Sequence, residues 1–532
     1  MATTRSIVLL ILMISLLAYT HSAIADDDIP QDFDRSYFPP GFIFGSSTSA
    51  YQIEGKANKK CRGPSIWDTF SHEQPGRIAD GSNADVADDS YDRYKDDIEL
   101  MEDMGLDAYR FSISWSRLIP SGRIREGVNE EGIEFYNRVI NELIEQDMEP
   151  FVTLFHWDVP QALEDKYGGF LSRDIVKDFK DFAELCFEKF GDRVKKWITV
   201  NEPWTFSSMG YDRGTLAPGR CSTWVNKACQ AGNSSTEPYI VNHNLLFAHA
   251  TAARLYREKF QVNQKGKIGV TVVSNWYEPY NSEDHHDRKA SLRSLDFVLG
   301  WFLHPLTYGH YPVSMQKLVG DRLPKFVGHE SEFVKGTFDF LGLNYYTGYY
   351  ASSNFSVDPD PTHLSYSTDS HVNVTAYKNG VPIGKPTSVE WLYVYPQGIR
   401  YLLNYTKDVY RNPTIYITEN GMGEAKNETS PDNLDDPWRK DYYKSHLWNV
   451  LGSIDNHTVP VKGYFAWSFM DNYEWASGYT VRFGLYYIDY KNNLTRLPKT
   501  SVDWFENFLD SGYRTLKSAA INEDASVNAN DV

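Results

Sequence analysis

Apolar positions along the chain alternate between two patterns. Short, nearly continuous apolar or aromatic runs occur at Phe42–Gly45, Ala108–Trp115, Pro150–His156, Trp197–Asn201, Lys267–Ser274, Phe338–Tyr345, Thr414–Thr418 and Lys462–Trp467, eight in all. Their lack of polar alternation is what parallel strands buried on both faces require. Between them lie segments of period 3.6. Ile133, Tyr136, Ile140 and Ile144 share one helical face in Glu131–Met148, and Ile175, Phe179, Phe182, Cys186 and Phe190 share one in Arg173–Phe190. Ser172 is the predicted N-cap of the second of these helices. Strand and helix in eightfold alternation predict an α/β fold, a single closed (β/α)8 TIM barrel. No Gly-rich fingerprint follows the first strand, which disfavours a dinucleotide-binding sheet. The gaps Pro203–Gly266 and Tyr346–Pro413 are too long for simple connections and predict loop insertions over the active face. With no internal repeat or interdomain linker, residues 26–532 read as one domain with its core from about Phe38 to Tyr513. From about Ala519 the residues are small and polar, which predicts a disordered tail.

Two of the runs end on an acid. Thr414-Ile-Tyr-Ile-Thr closes at Glu419 and Lys196-Trp-Ile-Thr-Val-Asn at Glu202, each glutamate beside an asparagine. A carboxylate at the carboxyl end of a core strand packs poorly, but it stands where barrels of this class place their chemistry. The other strand ends supply Gln52, Arg110, His156, Asn201, Asn344 with Tyr346, and Trp467. Hydrogen-bonding groups, two carboxylates and an aromatic platform suit a polyhydroxylated substrate. Paired carboxylates beside a sugar predict glycoside hydrolysis. A lone strand-end glutamate is as readily a salt-bridged structural residue. The pair, each closing a core strand, outweighs that reading.

Composition narrows the partners. A formal net charge of −18 argues against nucleic acid and anionic membrane surfaces. The amino terminus reads as a secretory signal over residues 1–25. Arg5 is its positive region, Ile7 to Ala18 an apolar run too short for a membrane span, and Ala23-Ile24-Ala25 the cleavage site. The expected location is the secretory pathway, ending in the extracellular space (apoplast) or the vacuole. Seven Asn-x-Ser/Thr acceptors fit that route: Asn233, Asn354, Asn373, Asn404, Asn427, Asn456 and Asn493. Cys221 and Cys229, eight apart in a polar segment, read as a disulfide-closed loop in an oxidising compartment. Cys186 reads as a buried thiol. No Cys/His pair has metal-ligand spacing, and neither a metal nor another cofactor is expected.

The stretches Phe42-Ile-Phe-Gly-Ser-Ser-Thr-Ser-Ala-Tyr-Gln52, Thr199-Val-Asn-Glu-Pro203, Ile417-Thr-Glu-Asn-Gly421, and Trp467 with Asp471-Asn-Tyr-Glu-Trp475 are highly specific. In them the chain resembles the secreted plant β-glucosidases of glycoside hydrolase family 1, from about Phe38 to Tyr513. The resemblance implies a retaining hydrolase of small-molecule glycosides, with Glu419 as nucleophile, Glu202 as acid/base, and Arg110 and Tyr346 supporting the nucleophile. It assigns sugar recognition to Gln52, His156, Asn201, Glu474 and Trp475, with Trp467 as stacking floor, and Asn344 joins the substrate-binding candidates from its place at a strand end. Trp391 resembles one wall of the aglycone slot, and Trp204, Phe206, Met209 and Leu216 are candidates for the facing wall. Ala476 stands close to a position where several members carry a bulky aromatic, and Ser477 is its neighbour. A roomier pocket edge there would admit a 6-substituted glucose, making the enzyme a diglycosidase. The alternatives are a transglucosidase and a non-catalytic sugar-binding barrel; the latter is expected to have lost one of the two glutamates. Thioglucosidases in the family lack the acid/base glutamate, whereas Glu202 is present.

Overall fold

A computed structural model describes residues 29–510 apart from residues 58, 356–359 and 361. The predicted signal with its Ala23-Ile24-Ala25 site and the predicted tail from Ala519 lie outside the described residues. Eight parallel strands close a barrel: β1 (Ile43–Ser47), β2 (Ala108–Ser112), β3 (Glu149–Phe155), β4 (Lys196–Asn201), β5 (Lys267–Val273), β6 (Phe340–Asn344), β7 (Ile415–Asn420) and β8 (Val461–Trp467). Each strand lies beside its neighbour in sequence, and β8 returns to pair with β1 in register from Ile43–Gly463 to Ser47–Trp467. The main helices that follow them are α1 (Ser90–Asp103), α2 (Glu130–Glu145), α3 (Ile175–Phe190), α4 (Glu237–Leu255), α5 (His285–Leu295), α6 (Pro396–Val409), α7 (Pro437–His457) and α8 (Thr500–Asp510). Every strand predicted from the apolar runs is present.

One layer of rings plugs the barrel. Phe151, Ile198, Phe340, Tyr416 and Phe465 point inward with Ala108. Phe151 meets Phe465 at 4.7 Å and Tyr416 at 5.3 Å between centroids. The barrel interior is thus filled, and chemistry is left to the rim.

Three local readings need correction. β2 stops at Ser112, because Ser114 N turns to the Tyr136 hydroxyl at 2.8 Å and Trp115 opens a short helix, Trp115–Leu118. Ile144 is 45% exposed, and the buried face of α2 runs instead through Tyr136, Val139 and Leu143. Ser172 is not the N-cap of α3. Asp174 holds that position, and Ser172 Oγ accepts from Asp174 N in the preceding turn. The face of α3 from Ile175 to Phe190 is buried as predicted, Cys186 included.

The two long gaps carry structure over the rim. After β4 come the helix Pro203–Tyr211 and a loop closed by the Cys221–Cys229 disulfide, ahead of α4. After β6 come the strands Gly348–Ser353 and Val372–Thr375, paired antiparallel, and further short strands before α6. Six of the seven acceptor asparagines are exposed: Asn233, Asn354, Asn373, Asn427, Asn456 and Asn493. Asn404 is the exception, and its reading as an acceptor is withdrawn. It is 2% exposed on the inner side of α6, where no oligosaccharide fits the folded chain.

Candidate active site

Register breaks single out the two acid-bearing strands. The ladder slips between Ile198 and Asn201 where β4 meets β5, and past Ile417 where β7 meets both neighbours. Such irregularities re-aim side chains at a barrel rim. Glu202 also sits in left-handed backbone, at φ 44° and ψ 62°, as the residue that starts the helix Pro203–Tyr211. A non-glycine residue there is strained by roughly 1–3 kcal/mol, and strain of this kind gathers at functional sites. At the end of β7, Gly421 is forced by packing. A Cβ there would stand 1.8 Å from the Trp467 carbonyl oxygen.

The two carboxyl groups are held differently. Arg110, fully buried on β2, donates from Nη1 to Glu419 Oε1, and the Tyr346 hydroxyl donates to Glu419 Oε2 at 2.7 Å. Glu202 faces neutral partners: Asn344 Nδ2 donates to Oε1 and the Thr205 hydroxyl to Oε2, both at 2.7 Å. A polar chain joins the halves. Arg110 Nη2 donates to Asn201 Oδ1 at 2.6 Å, and Asn344 Nδ2 also reaches that oxygen, at 3.4 Å. Burial pushes the Glu202 carboxyl up to about 8, and the charge of Glu419 adds to the rise. One acid therefore carries a proton at neutral pH while the other is matched to a guanidinium. An environment that separates two carboxyls in this way is how an acid and a nucleophile are made from the same side chain.

Around them runs a cavity of about 680 Å³, lined on its deep side by His156, Glu202, Glu419, Trp467, Glu474 and Trp475. His156 Nε2 accepts from Asn201 Nδ2 at 3.1 Å, an assignment that leaves the proton on Nδ1, which is buried and unpartnered. Burial and the nearby Arg110 charge hold this imidazole well below its usual range, so it is neutral. Glu474 Oε1 is likewise buried without a partner, and burial, followed by the Glu419 charge, raises its carboxyl to about 8. Unsatisfied polar atoms aimed into a cavity are what a hydroxyl-rich ligand would complete. The Trp467 and Trp475 rings each lie within 6.0 Å of the His156 ring and close to parallel with it.

The remaining predicted residues divide. Asn201 keeps one amide hydrogen uncommitted, since Nδ2 spends only one on His156. Gln52 Nε2 gives both hydrogens to Asn472 Oδ1 and Tyr473 O, at 2.8 and 2.9 Å, which fixes the loop bearing Glu474. Asn344 needs correction as a sugar contact. Like Gln52 and Asn201 it is fully buried behind the cavity lining, but its amide is spent on Glu202 Oε1 and Asn201 Oδ1, and its Oδ1 accepts from Thr418. Trp391 lines the outer cavity and is 47% exposed. Opposite stand Trp204, Met209 and Leu216, but Phe206 turns into the core against Phe155 and Phe170.

Several residues of the site escaped the sequence reading. Thr205 follows Glu202 by one helical turn, a spacing that was open to notice. Phe297 with Val298, Val372 and Phe483 complete the outer wall from three separate segments, and no local pattern marks them. Among the described residues no group of three or more His, Cys, Asp or Glu side chains could hold a metal ion.

The arrangement predicts a pH profile. The protonated form of Glu202 is the one able to donate, so kcat/KM for glycoside cleavage should fall as pH rises through about 8. The value belongs to the coupled pair of carboxyls. A flat profile from pH 6 to beyond 9, measured with a substrate whose departure needs a proton, would contradict the assignment.

Residues 34–512 match the sequence profile of glycosyl hydrolase family 1. β-Glucosidase 12 of Oryza sativa subsp. japonica is 54% identical over 94% of this chain and 98% of its own length. Raucaffricine-O-β-D-glucosidase of Rauvolfia serpentina is 50% identical over 96% and 98%. A rice β-glucosidase mutant in a covalent complex with glucose superposes with a TM-score of 0.88 at 48% identity, covering 90% of this chain and all of that one.

Proposed function

The chain belongs to glycosyl hydrolase family 1 and is a glycoside hydrolase of the β-glucosidase type; from that premise we propose that it cleaves the β-O-glucosidic bond of a plant secondary-metabolite glycoside by double displacement. The observation that carries this reading is the asymmetry of the two carboxyls. Glu419, gripped by Arg110 and Tyr346, attacks the anomeric carbon and forms a glucosyl ester, while protonated Glu202 gives its proton to the departing glycosidic oxygen. Esterification removes the Glu419 charge that helped to keep Glu202 protonated. Glu202 then takes a proton from the incoming water, which attacks the ester carbon and releases glucose with its β configuration. His156 and Glu474, each with an unpartnered buried atom at the cavity, fix the sugar hydroxyls, with the uncommitted Asn201 amide hydrogen behind them and the Trp467 ring beneath.

The outer cavity supports an apolar aglycone, because Trp204, Leu216, Phe297, Val298 and Trp391 face it. Relatives at comparable identity are named for a furostanol glycoside and for raucaffricine, which supports a glycoside with a large aglycone. A panel of such glucosides with product identification tests the reading: glucose and free aglycone are expected, and hydrolysis of none of them would overturn it.

A second reading concerns the glycone. Ala476 and Ser477 line the cavity beside Trp475, so the sugar pocket has a small-residue edge that favours a 6-substituted glucose. Matched aryl glycosides of glucose and of a 6-linked disaccharide decide it. Release of the intact disaccharide is expected, and exclusive release of glucose would sink the idea. We further propose passage through the secretory pathway to the extracellular space or vacuole, a reading supported by the disulfide and the six exposed acceptor asparagines.

A further inference from the structure

Among the cavity-lining residues one alone is a lysine or an arginine: Arg213. It stands just beyond the helix Pro203–Tyr211, on the rim that carries Leu216 and the disulfide loop. Its backbone is fixed at both polar atoms. Arg213 N donates to Ser208 O at 3.0 Å, and Asn226 Nδ2 of the disulfide loop donates to Arg213 O at 3.2 Å.

The guanidinium itself makes no ion pair and no side-chain hydrogen bond among the described residues, in a chain with 71 acidic against 53 basic side chains. The adjacent acid, Asp212, is turned away. It is fully buried and takes the Ser367 hydroxyl, and burial raises it to about 6. The Arg213 charge opposes that rise at Asp212 and acts also on the phenols of Tyr277, Tyr349 and Tyr366. Two of those hydroxyls are already committed: Tyr349 donates to Trp391 O and Tyr366 to Phe297 O. They hold the wall and do not neutralise the cation. Arg213 is exposed where it lines this largely apolar chamber, and its guanidinium hydrogen-bonds to no acid among the described residues.

We propose that Arg213 is a specificity-determining residue that binds an anionic group, a carboxylate or its equivalent, at the far end of the aglycone. The inference rests on the glucosidase reading above and narrows its substrate class. Arg213 lies eleven positions beyond Glu202, mostly along the connecting helix. At about 1.5 Å per residue the two backbones stand about 16 Å apart, and side chains reaching toward each other over the cavity bring the glycosidic oxygen and the anion to roughly 10–15 Å. The substrate class is therefore a β-glucoside of an elongated, two- to three-ring apolar aglycone with a terminal acid. A single cation matters more here because the rest of the lining is apolar, polar or acidic, with Glu202, Glu419 and Glu474 at its deep end.

The test uses two β-glucosides of one biphenyl alcohol, one ending in a carboxylate and the other in the neutral carboxamide. The quantity read is the ratio of their kcat/KM values. In the wild type the acid should be favoured, and in Arg213→Gln the ratio should fall about five- to tenfold through KM, with kcat for the acid holding. Arg213→Lys should keep part of the preference. In the wild type alone, about 1 M NaCl, where the screening length is about 3 Å, should shrink the ratio without affecting the carboxamide. A ratio that is the same in wild type and both variants and insensitive to salt would overturn the inference. Turnover of the carboxamide glucoside by the wild type reports separately on the glucosidase reading, so the two failures are distinguishable.

Discussion

Glu419→Gln should abolish turnover, lowering kcat for an aryl β-glucoside by on the order of 10⁴-fold or more while the protein stays folded. Glutamine keeps an acceptor oxygen for Arg110 and nearly the same volume, so the buried guanidinium retains a partner. That matters, because a truncation leaving a buried charge alone costs about 3–5 kcal/mol and would confuse lost chemistry with lost stability. What the amide lacks is the electron pair that forms the ester. The variant should still bind glucose. Activity within tenfold of wild type would remove Glu419 from the mechanism.

Glu202→Gln should divide substrates by leaving group. With an unactivated alcohol as aglycone, the loss of proton donation should cost about 10²–10⁴-fold in kcat/KM. With an acidic nitrophenol the first step needs little help and should survive. Water attack has lost its base in either case, so nitrophenol should appear as a burst followed by a stalled ester. The decline of activity through pH 8 should also vanish. Stability should move the other way. The folded-state pKa of Glu202 is raised from its ordinary 4.5 to about 8, so its contribution is intact below 4.5 and progressively lost as pH rises to 8. Removing the titration should therefore raise Tm at neutral pH by a few degrees and leave it nearly unchanged at pH 4. Equal loss on both leaving groups, or no burst, would contradict the role.

The barrel was legible because parallel strands leave a plain mark: an apolar run that stops abruptly at a polar residue. Glu202 and Glu419 announced themselves by that stop. Where tertiary contacts decide the outcome, the mark failed. Ser114 abandons the β2 ladder for the Tyr136 hydroxyl, and Leu143 supplants Ile144 because the buried face of α2 is centred elsewhere. Asn344 carries the same polar side chain whether it meets a sugar or a glutamate. Only its 2.7 Å bond to Glu202 shows the second role. Phe206 and Leu216 are equally apolar in sequence, yet one packs inward against Phe155 and the other faces the cavity. Arg213 gave no signal at all. A cation's meaning lies in the cavity it lines and in the hydrogen bonds it does not make there, and that cavity wall is assembled from segments far apart in the chain.

The most direct measurement is to trap the ester. A 2-deoxy-2-fluoro-β-glucoside with a good leaving group slows both steps by destabilising positive charge at the anomeric carbon, but it slows water attack enough for the intermediate to accumulate. Intact-mass analysis and peptide mapping should find one fluoroglucosyl group per chain, on the peptide that carries Glu419 within Ile415–Asn420. The adduct should be absent from Glu419→Gln. A label on Glu202 or on any other residue, or inhibition with no covalent adduct, would contradict the account.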